Sequence, residues 1–479
     1  MDKKVEFRGL AADSREVKPG FLFAALKGSK TDGAGFIEDA VKRGATAVLG
    51  PPEIADIVRK FKVRFIEDSN PRLKLAEMAA AFYGAQPDIV AAVTGTNGKT
   101  SVASFLRQIW AFQGRKAASL GTLGIYAPSG HVALDHTTPD PVGLHRELAR
   151  LKHEGVNHLA LEASSHGLDQ YRLDGVVVSA AAFTNITRDH MDYHPTFAHY
   201  LASKLALFER LVKAGGVAVV NQDAAHAGDF VAAAERRKLK LLTVGTRGET
   251  IKLIDQVPHA HGQELSLLYL GRVRSVNLPL AGSFQASNAM VAAGLALGLN
   301  DPADEVFAAL ETLQGAPGRL ELMARARNGA PIYVDYAHTP DAIETVLLAL
   351  RPHVKGRMHI IFGCGGDRDR GKRPLMGKAA SRYAEAVIVS DDNPRGEDAA
   401  AIRAEVLEGA PNAREIGDRA EAIRQAVAAL GVDDALIIAG KGHEDSQIVG
   451  KQKLPFSDRT EAVKAALALG GSKAADEAR

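Results

Sequence analysis

The sequence has a single cysteine, Cys364, in 479 residues. One thiol closes no internal disulfide, so the chain fits a reducing compartment and must draw its stability from packed cores. Runs of about 18 uninterrupted apolar residues are missing as well, so no membrane-spanning helix is expected. The opening Met1-Asp2-Lys3-Lys4 is charged and no apolar stretch follows it, and a cytoplasmic location is expected. Neither sign of charge is in excess: 59 Lys and Arg against 57 Asp and Glu leave +2. A near-neutral chain gives no basis for nucleic-acid or anionic-membrane partners, so recognition must fall to local sites. Repeats and low-complexity tracts are also absent; the polar tail after Leu469 stands out, and it is expected to fray. At roughly 150 residues per domain, the length points to about three domains.

The most informative stretch covers residues 89–105. Ile89-Val90-Ala91-Ala92-Val93 reads as a buried strand and Thr94-Gly95-Thr96-Asn97-Gly98-Lys99 as a glycine-bearing turn. From Thr100 onward, apolar Val102, Phe105, Leu106 and Ile109 read as a helix. Strand, glycine turn and helix make a phosphate cradle. Gly95 and Gly98 let the backbone approach an anion, the amides at the helix start point at it, Lys99 adds positive charge and Thr100 a hydroxyl for Mg2+. The full Walker A pattern wants glycine where Val93 stands, so the loop is a shortened relative. A plain glycine turn is the blander alternative, and Gly98-Lys99-Thr100-Ser101 at the junction weighs against it.

Thr94-Gly95-Thr96-Asn97-Gly98-Lys99-Thr100 resembles the ATP loop of the Mur ligases and their folylpolyglutamate synthetase relatives, which join a carboxylate to an amine through an acyl phosphate. The resemblance implies an α/β chain of three domains. A small α/β N-terminal domain over residues 1–88 would bind a UDP-sugar, and a central P-loop-type sheet over 89–321 would bind ATP. A Rossmann-like C-terminal domain over 322–479 would bind an amino acid. ATP and Mg2+ are the implied cofactors, with Gly95, Thr96, Asn97, Gly98, Lys99, Thr100 and Ser101 around the phosphates.

In the first domain, alternation in Phe21-Leu22-Phe23-Ala24-Ala25-Leu26 predicts a strand, residues 36–43 a helix and Ala47-Val48-Leu49 another strand. Residues 71–83 predict a helix that leads through Gly84-Ala85-Gln86-Pro87 as a hinge into the ATP domain. Asp13-Ser14-Arg15 and Gly28-Ser29-Lys30-Thr31-Asp32-Gly33 read by themselves as surface turns. The resemblance makes Ser14, Ser29, Lys30 and Thr31 candidates for holding the uridine diphosphate end of the substrate.

In the central region, residues 155–167 read as a second buried strand ending in a carboxylate, Glu162, and doubly wound sheets collect ligands at such ends. From its surroundings alone, Glu162 is as readily a capping carboxylate as a Mg2+ ligand. With Ser164-Ser165-His166-Gly167 following, the resemblance favours the metal. It also implies contacts of Thr137, Thr138, Ser164, Gln170 and Arg172 with a muramoyl dipeptide. His190, His194 and His199 invite a zinc reading, which Pro195 and the lack of a nearby cysteine weaken; the resemblance makes His190 a ligand of a second Mg2+. Lys204, on an amphipathic helical pattern, reads as a solvated lysine. The resemblance makes it a carbamate, formed when its neutral amine attacks carbon dioxide, which replaces a cation by an anion near the metals. Thr100, Glu162, His190 and carbamylated Lys204 are thus the implied metal set. Asn288 and Arg319, by themselves a helix residue and a turn residue, are implied at the adenosine end of ATP.

In the third domain, short apolar runs at 332–334, 359–362, 386–389 and 436–439 alternate with helical patterns at 374–383 and 419–430, which predicts a parallel sheet covered on both faces. Gly363-Cys364-Gly365-Gly366 fails the dinucleotide-binding spacing. Polar clusters follow the strands: Asp335-Tyr336-Ala337-His338, Asp367-Arg368-Asp369-Arg370, Asp391-Asp392-Asn393-Pro394-Arg395 and Gly440-Lys441-Gly442-His443-Glu444. Four clusters in register with strand ends point to a site more than to solubility. Asp335 and His338 resemble the family segment that closes over the phosphates, and join Lys99, His190 and Lys204 as implied catalytic residues. Asp392, Asn393, Pro394 and Arg395 resemble the motif of family members that accept meso-diaminopimelate. A guanidinium holds a carboxylate through two parallel hydrogen bonds, so Arg395 suits the far carboxylate of that amino acid and disfavours the bare ammonium of lysine. Arg368, Gly440 and Glu444 are the remaining implied contacts.

Taken over the whole chain, the resemblance implies an ATP-dependent ligase that adds meso-diaminopimelate to UDP-N-acetylmuramoyl-L-alanyl-D-glutamate in peptidoglycan precursor synthesis. A monomer is expected, with domain closure to bring ATP and amine together. A folylpolyglutamate synthetase is a rival that the Asp-Asn-Pro-Arg segment and an extra first domain disfavour. A P-loop switch or motor is another, and the Asn-Lys-x-Asp segment of a guanine-nucleotide switch does not occur.

Overall fold

The apolar run at residue 89 forms a strand, Ile89–Thr94, whose side chains from Val90 onward are fully buried. It belongs to a computed structural model that describes residues 7–28 and 31–474. The chain divides into two units, Met1–Lys252 with Met290–Val306, and Leu253–Ala289 with Phe307–Arg479.

The first unit opens with a four-stranded parallel sheet in the order Gly9–Ala11, Phe21–Ala24, Ala47–Gly50, Arg64–Glu67. Alternate side chains face opposite layers. Phe23 and Val48 pack with Ile37, while Leu22 and Leu49 pack with Leu75 and Ala79 of the helix Pro71–Tyr83. That helix begins on proline and ends at Gly84 with φ 65°, the left-handed conformation that glycine takes without strain. The strand expected through Leu26 stops at Ala24, where the Leu26 N–H turns back onto the Ala24 carbonyl.

The larger sheet of this unit runs Lys240–Gly245, Val212–Asn221, Val178–Phe183, Ile89–Thr94, His158–Glu162, Ala117–Gly121, Gly124–Ala127, Gly130–Val132. The first six strands are parallel and the last two antiparallel. Parallel strands are covered on both faces, which is why Val90–Val93 and Leu159–Leu161 read as continuous apolar runs. Register places Thr94 beside Phe183 and Val93 beside Glu162, so three strand ends come together where the chain becomes polar.

The second unit holds a seven-stranded sheet, Arg414–Glu415, Ala386–Val389, Met358–Phe362, Ala435–Ala439, Pro331–Asp335, Glu321–Arg325, Ser472–Lys473, parallel except for the last two strands. Two apolar layers flank it, one with Ile360 and Phe362 and the other with Ile361 and Ile438. The tail after Leu469 does not fray where it is described: Ser472 and Lys473 pair with Arg325 and Ala324. The open edge of Glu321–Arg325 offers unpaired backbone groups that polar residues satisfy as well as apolar ones, a partner that local composition cannot reveal. A separate hairpin, Ser446–Val449 with Gln452–Pro455, turns at Gly450.

Beneath this sheet Arg419 and Asp458 form a fully buried pair, with hydrogen bonds of 2.7 and 2.8 Å. The same guanidinium donates to the carbonyls of Ala439 at 2.8 Å and Asp391 at 3.3 Å, at the roots of two polar loops. Removing one partner strands a charge in the interior. Asp458→Asn should therefore lower unfolding stability by about 3–5 kcal/mol, read as a lower urea midpoint by circular dichroism. Glu38→Gln, which breaks the exposed Glu38–Lys42 pair, should leave the midpoint in place.

Candidate active site

In the first unit the turn between Thr94 and Lys99 is held from the neighbouring strand end. Thr96 N–H donates to the Asn185 carbonyl at 2.8 Å, Asn97 N–H to Asn185 Oδ1 at 3.0 Å, and Thr184 Oγ1 to the Asn97 carbonyl. A Cβ on Gly95 would lie 1.9 Å from Thr184 Oγ1, so this approach admits only glycine. Gly98, with φ 87°, turns the chain into the helix Lys99–Phe112, whose first turn has no side-chain cap. The backbone amides of the first turn at a helix start are a fitting anion site.

Two amines enter the loop. Lys99 Nζ donates to the carbonyls of Gly95 and Thr96 at 2.8 and 2.9 Å, and Lys204 Nζ donates to Gly95 at 2.7 Å. The sequence reading of Lys204 as solvated fails, because the residue is 1% exposed, on the inward face of the helix Phe197–Ala206. Its amine lies 4.4 Å above the Tyr200 ring, and Tyr200 OH meets Thr96 Oγ1 at 2.9 Å. Burial, reinforced by the Lys99 charge, pushes the Lys204 pKa well below the ordinary lysine value. The neutral amine is the form that reacts with carbon dioxide.

Glu162, 2% exposed, is drawn into the same corner. It accepts from Thr100 Oγ1 at 3.0 Å, Thr122 N–H at 2.9 Å and Thr122 Oγ1 at 3.1 Å. A Cβ on Gly121 would fall 2.1 Å from its carboxylate. Among the described residues no group of three or more His, Cys, Asp or Glu could hold a metal ion. The hydroxyl of Thr100 and the carboxylate of Glu162 are hard oxygen donors beside an anion site, and they fit Mg2+, which takes one or two protein oxygens and completes its shell with phosphate and water. His190 lies across the loop, with φ 55° and its ring 4.9 Å from that of His166; burial lowers its pKa, with Lys99 and Lys204 adding to the effect. His194 Nδ1 meets His199 Nδ1 at 3.0 Å, and burial takes the His194 pKa down to about 4.

The implied dipeptide contacts are brought together. Thr137 meets Thr122 at 3.0 Å, Thr138 meets Ser164 at 3.0 Å, and Arg172 donates to the Thr138 carbonyl at 2.8 Å and to Gln170 Oε1 at 2.8 Å. The implied uridine contacts are less gathered: Ser14 is buried in a short turn capped by Asp13, and Thr31 is exposed, its carbonyl accepting from Gly28 N–H. Ser29 and Lys30 lie outside the described residues.

In the second unit Gln285 connects Asn288 to Arg319, accepting from Asn288 at 3.4 Å and donating to the Arg319 carbonyl at 3.0 Å. The Arg319 guanidinium stands 5.0 Å over the Tyr336 ring. Asp335 accepts from Leu320 N–H at 2.6 Å and Ala337 N–H at 2.7 Å, so its carboxylate orders the turn that carries His338. Burial raises the Asp335 pKa and lowers that of His338.

Gly440 N–H donates to the Asp335 carbonyl at 3.2 Å, and a Cβ on Gly440 would press to 2.8 Å from Asp392 Oδ2, whose pKa burial raises. Asn393 donates to Glu444 Oε2 at 3.0 Å. Arg395, with φ 51°, donates from Nη1 to the Gly366 carbonyl at 2.8 Å, and the Pro394 carbonyl crowds Gly366. Arg368 is exposed and donates to the carbonyl of its neighbour Asp367. The sequence reading missed Thr122, Thr184, Asn185, Tyr200 and Gln285. Thr184 and Asn185 carried a signal, being polar residues directly after an apolar run; the others act through partners far along the chain.

Known proteins resemble this chain over nearly its whole length. Family models match residues 6–83 (Mur ligase family, catalytic domain), 93–296 (Mur ligase middle domain) and 318–442 (Mur ligase, glutamate ligase domain). A UDP-N-acetylmuramoyl-L-alanyl-D-glutamate–2,6-diaminopimelate ligase of Bradyrhizobium diazoefficiens is 55% identical over 470 residues, covering 97% of this chain and 95% of that one. Its counterpart from Agrobacterium fabrum is 53% identical over 470 residues, covering 98% and 95%. A solved structure of a UDP-N-acetylmuramoyl-L-alanyl-D-glutamate–2,6-diaminopimelate ligase aligns with a TM-score of 0.73 at 33% identity, over 98% of this chain and 97% of that one. With family models over most of its length and relatives this similar, the chain belongs to the Mur ligase family.

Proposed function

We propose that the protein is an ATP-dependent amide ligase that adds meso-diaminopimelate to the D-glutamate side-chain carboxylate of UDP-N-acetylmuramoyl-L-alanyl-D-glutamate, in peptidoglycan precursor synthesis. The observation that carries this reading is Asp392-Asn393-Pro394-Arg395 at a strand end, bonded through Asn393 to Glu444. It joins a guanidinium and a carboxylate in one cluster, for a substrate that bears carboxylates and ammonium groups.

A carboxylate anion repels an amine and has no leaving group, so it is activated first. Its oxygen attacks the γ-phosphorus of ATP, ADP leaves, and an acyl phosphate forms. The amine nitrogen then attacks the acyl carbon, the bond to phosphate breaks, and the amine releases a proton. For the first step Lys99 and the amides of Lys99, Thr100 and Ser101 hold negative charge on the transferring group, a mainly electrostatic task. Mg2+, held by Thr100 and Glu162 and at a second position by His190 and carbamylated Lys204, would supply further charge neutralisation there. Thr137, Thr138, Ser164, Gln170 and Arg172 hold the dipeptide, Ser14 and the loop containing Thr31 the uridine diphosphate, and Asn288 with Arg319 the adenosine. Asp335 and His338 complete the proposed catalytic set, Asp335 ordering the turn that carries His338. Domain limits near residues 88 and 321, a monomer, a cytoplasmic location and the absence of a nucleic-acid partner complete the reading, supported by near-neutral charge and one buried thiol.

Because phosphate leaves only when the amine attacks, phosphate release should require the UDP-muramoyl dipeptide and the amino acid together. Rapid phosphate release from ATP alone, in a coupled assay, would sink the ligase reading.

Lys204→Ala should lose most activity, and short carboxylic acids in solution should restore part of it by occupying the anionic position that the carbamate fills. Near-normal turnover without them would reduce Lys204 to a core residue.

Arg395 should set the choice of amino acid. A charge-assisted hydrogen bond contributes about 1.5–3 kcal/mol, and a site built around one rejects analogues that lack the partner. In Arg395→Ala, kcat/KM for meso-diaminopimelate should fall by roughly 10- to 150-fold while that for L-lysine holds or rises. An unchanged ratio would make Arg395 structural.

A further inference from the structure

Lys441 has a side chain with no solvent exposure, yet it sits among polar partners. Its ammonium donates to Asn393 Oδ1 at 3.1 Å and to Glu444 Oε2 at 2.9 Å, while Asn393 Nδ2 donates to the same Glu444 oxygen at 3.0 Å. Lysine, asparagine and glutamate close a triangle. A second donor, the Ile448 N–H, reaches Asn393 Oδ1 at 2.9 Å, so two donors set which way the amide lies and turn its nitrogen toward Glu444.

Glu444 differs from the lysine beneath it: its side chain is 32% exposed. Both donors fall on Oε2, which leaves Oε1 as the oxygen for an incoming group. The hairpin Ser446–Val449 with Gln452–Pro455 braces the same motif. Gln447 Nε2 donates to the Asp392 carbonyl at 2.7 Å, Arg395 N–H to the Ile448 carbonyl at 3.0 Å, and Gly450 N–H to the Arg395 carbonyl at 2.7 Å. Arg395 and Glu444 are thereby referred to one rigid frame in which Lys441 is the buried charge.

A buried ion pair is a poor device for stability, since apolar residues of similar volume often serve as well or better, whereas pairs of this kind fix geometry. We infer that Lys441 is a positioning residue for the amino-acid substrate, anchoring one oxygen of Glu444 and the amide of Asn393 so that the other Glu444 oxygen meets a substrate ammonium. This rests on the ligase reading above.

Lys441 also governs the charge of Glu444. Burial by itself raises the Glu444 carboxyl pKa; Lys441, with Asn393 and His443, outweighs it and holds the pKa below the ordinary glutamate value. From other elements Asp392, Tyr336 and Arg419 act on Glu444, and Lys441 also lowers the Asp392 pKa, so losing the lysine charge raises both carboxyls together. With the lysine neutralised, burial dominates and the pKa of Glu444 rises. A protonated carboxyl no longer attracts an ammonium, so use of the amino acid falls as pH drops through the raised value, and the acid limb moves up in pH.

The test uses the full-length enzyme with Lys441→Met and the milder Lys441→Gln, which keeps a donor without the charge. For each, the KM values for meso-diaminopimelate, ATP and the nucleotide sugar are measured, with the pH profile of kcat/KM for the amino acid. The expected result is a rise of at least tenfold in KM for the amino acid and an acid limb shifted to higher pH. KM for ATP and for the nucleotide sugar, and the thermal melt, should stay within about twofold and a few degrees of wild type. If wild type ligates diaminopimelate and both variants keep its amino-acid KM and acid limb, or lose all three substrates alike, the positioning role is overturned and the ligase reading stands. Wild type that fails to ligate diaminopimelate overturns both.

Discussion

Two amines end on one carbonyl oxygen: Lys99 and Lys204 both donate to Gly95, at 2.8 and 2.7 Å. Two full ammonium charges converging in a place sheltered from water repel each other strongly, and burial resolves the conflict by depressing the proton affinity of Lys204. Of the two amines, Lys204 is the one whose neutral form burial favours. The arrangement depends on Gly95, because any Cβ there would strike Thr184, and on Thr184 and Asn185 holding the turn from the adjacent strand end. A parallel sheet supplies that adjacency as a matter of register, with Thr94 beside Phe183.

The second unit reaches order by a different route. Its strand-end loops are held mainly by charged side chains beneath them. Arg419 ties Asp391 and Ala439, Arg373 ties Gly365 to Glu397 and Glu405, and Lys441 ties Asn393 to Glu444. The contrast matches the ligands proposed for the two sites. Phosphate is met by backbone amides and a helix start, which need little more than glycine and a turn. An amino acid with charges at both ends needs charged groups of its own at fixed separation, and these in turn need buried counter-charges to hold their rotamers.

Much of this was legible along the chain. The helix Pro71–Tyr83 and the strand Ala386–Val389 begin and end as their patterns predict, because proline, glycine and β-branched residues act locally. Gly98-Lys99-Thr100-Ser101 at a strand-to-helix junction suggests a phosphate loop even though Val93 stands where the full pattern has glycine. Three readings went otherwise. Phe21–Ala24 is shorter than its apolar run, the tail at Ser472–Lys473 is an edge strand, and Lys204 is buried. The first turns on a local bond, the Leu26 N–H to the Ala24 carbonyl, and the other two on partners many residues away: the edge at Ala324 and Arg325, and the Gly95 carbonyl.

The sequence by itself determined the α/β alternation, the strand, glycine turn and helix of residues 89–112 and the side-chain types of the strand-end clusters, since periodicity, glycine placement and side-chain type are properties of a few neighbouring residues. Tertiary structure alone decided which polar groups share a partner. It put Thr122 and Thr100 on the same carboxylate of Glu162, Lys99 and Lys204 on the same carbonyl, and Lys441 and Asn393 on the same oxygen of Glu444. The physical reason is that protonation and orientation of a buried group depend on distances of about 3 Å to residues as far along the chain as Gly95 is from Lys204, and only the folded pairing of strands sets those distances.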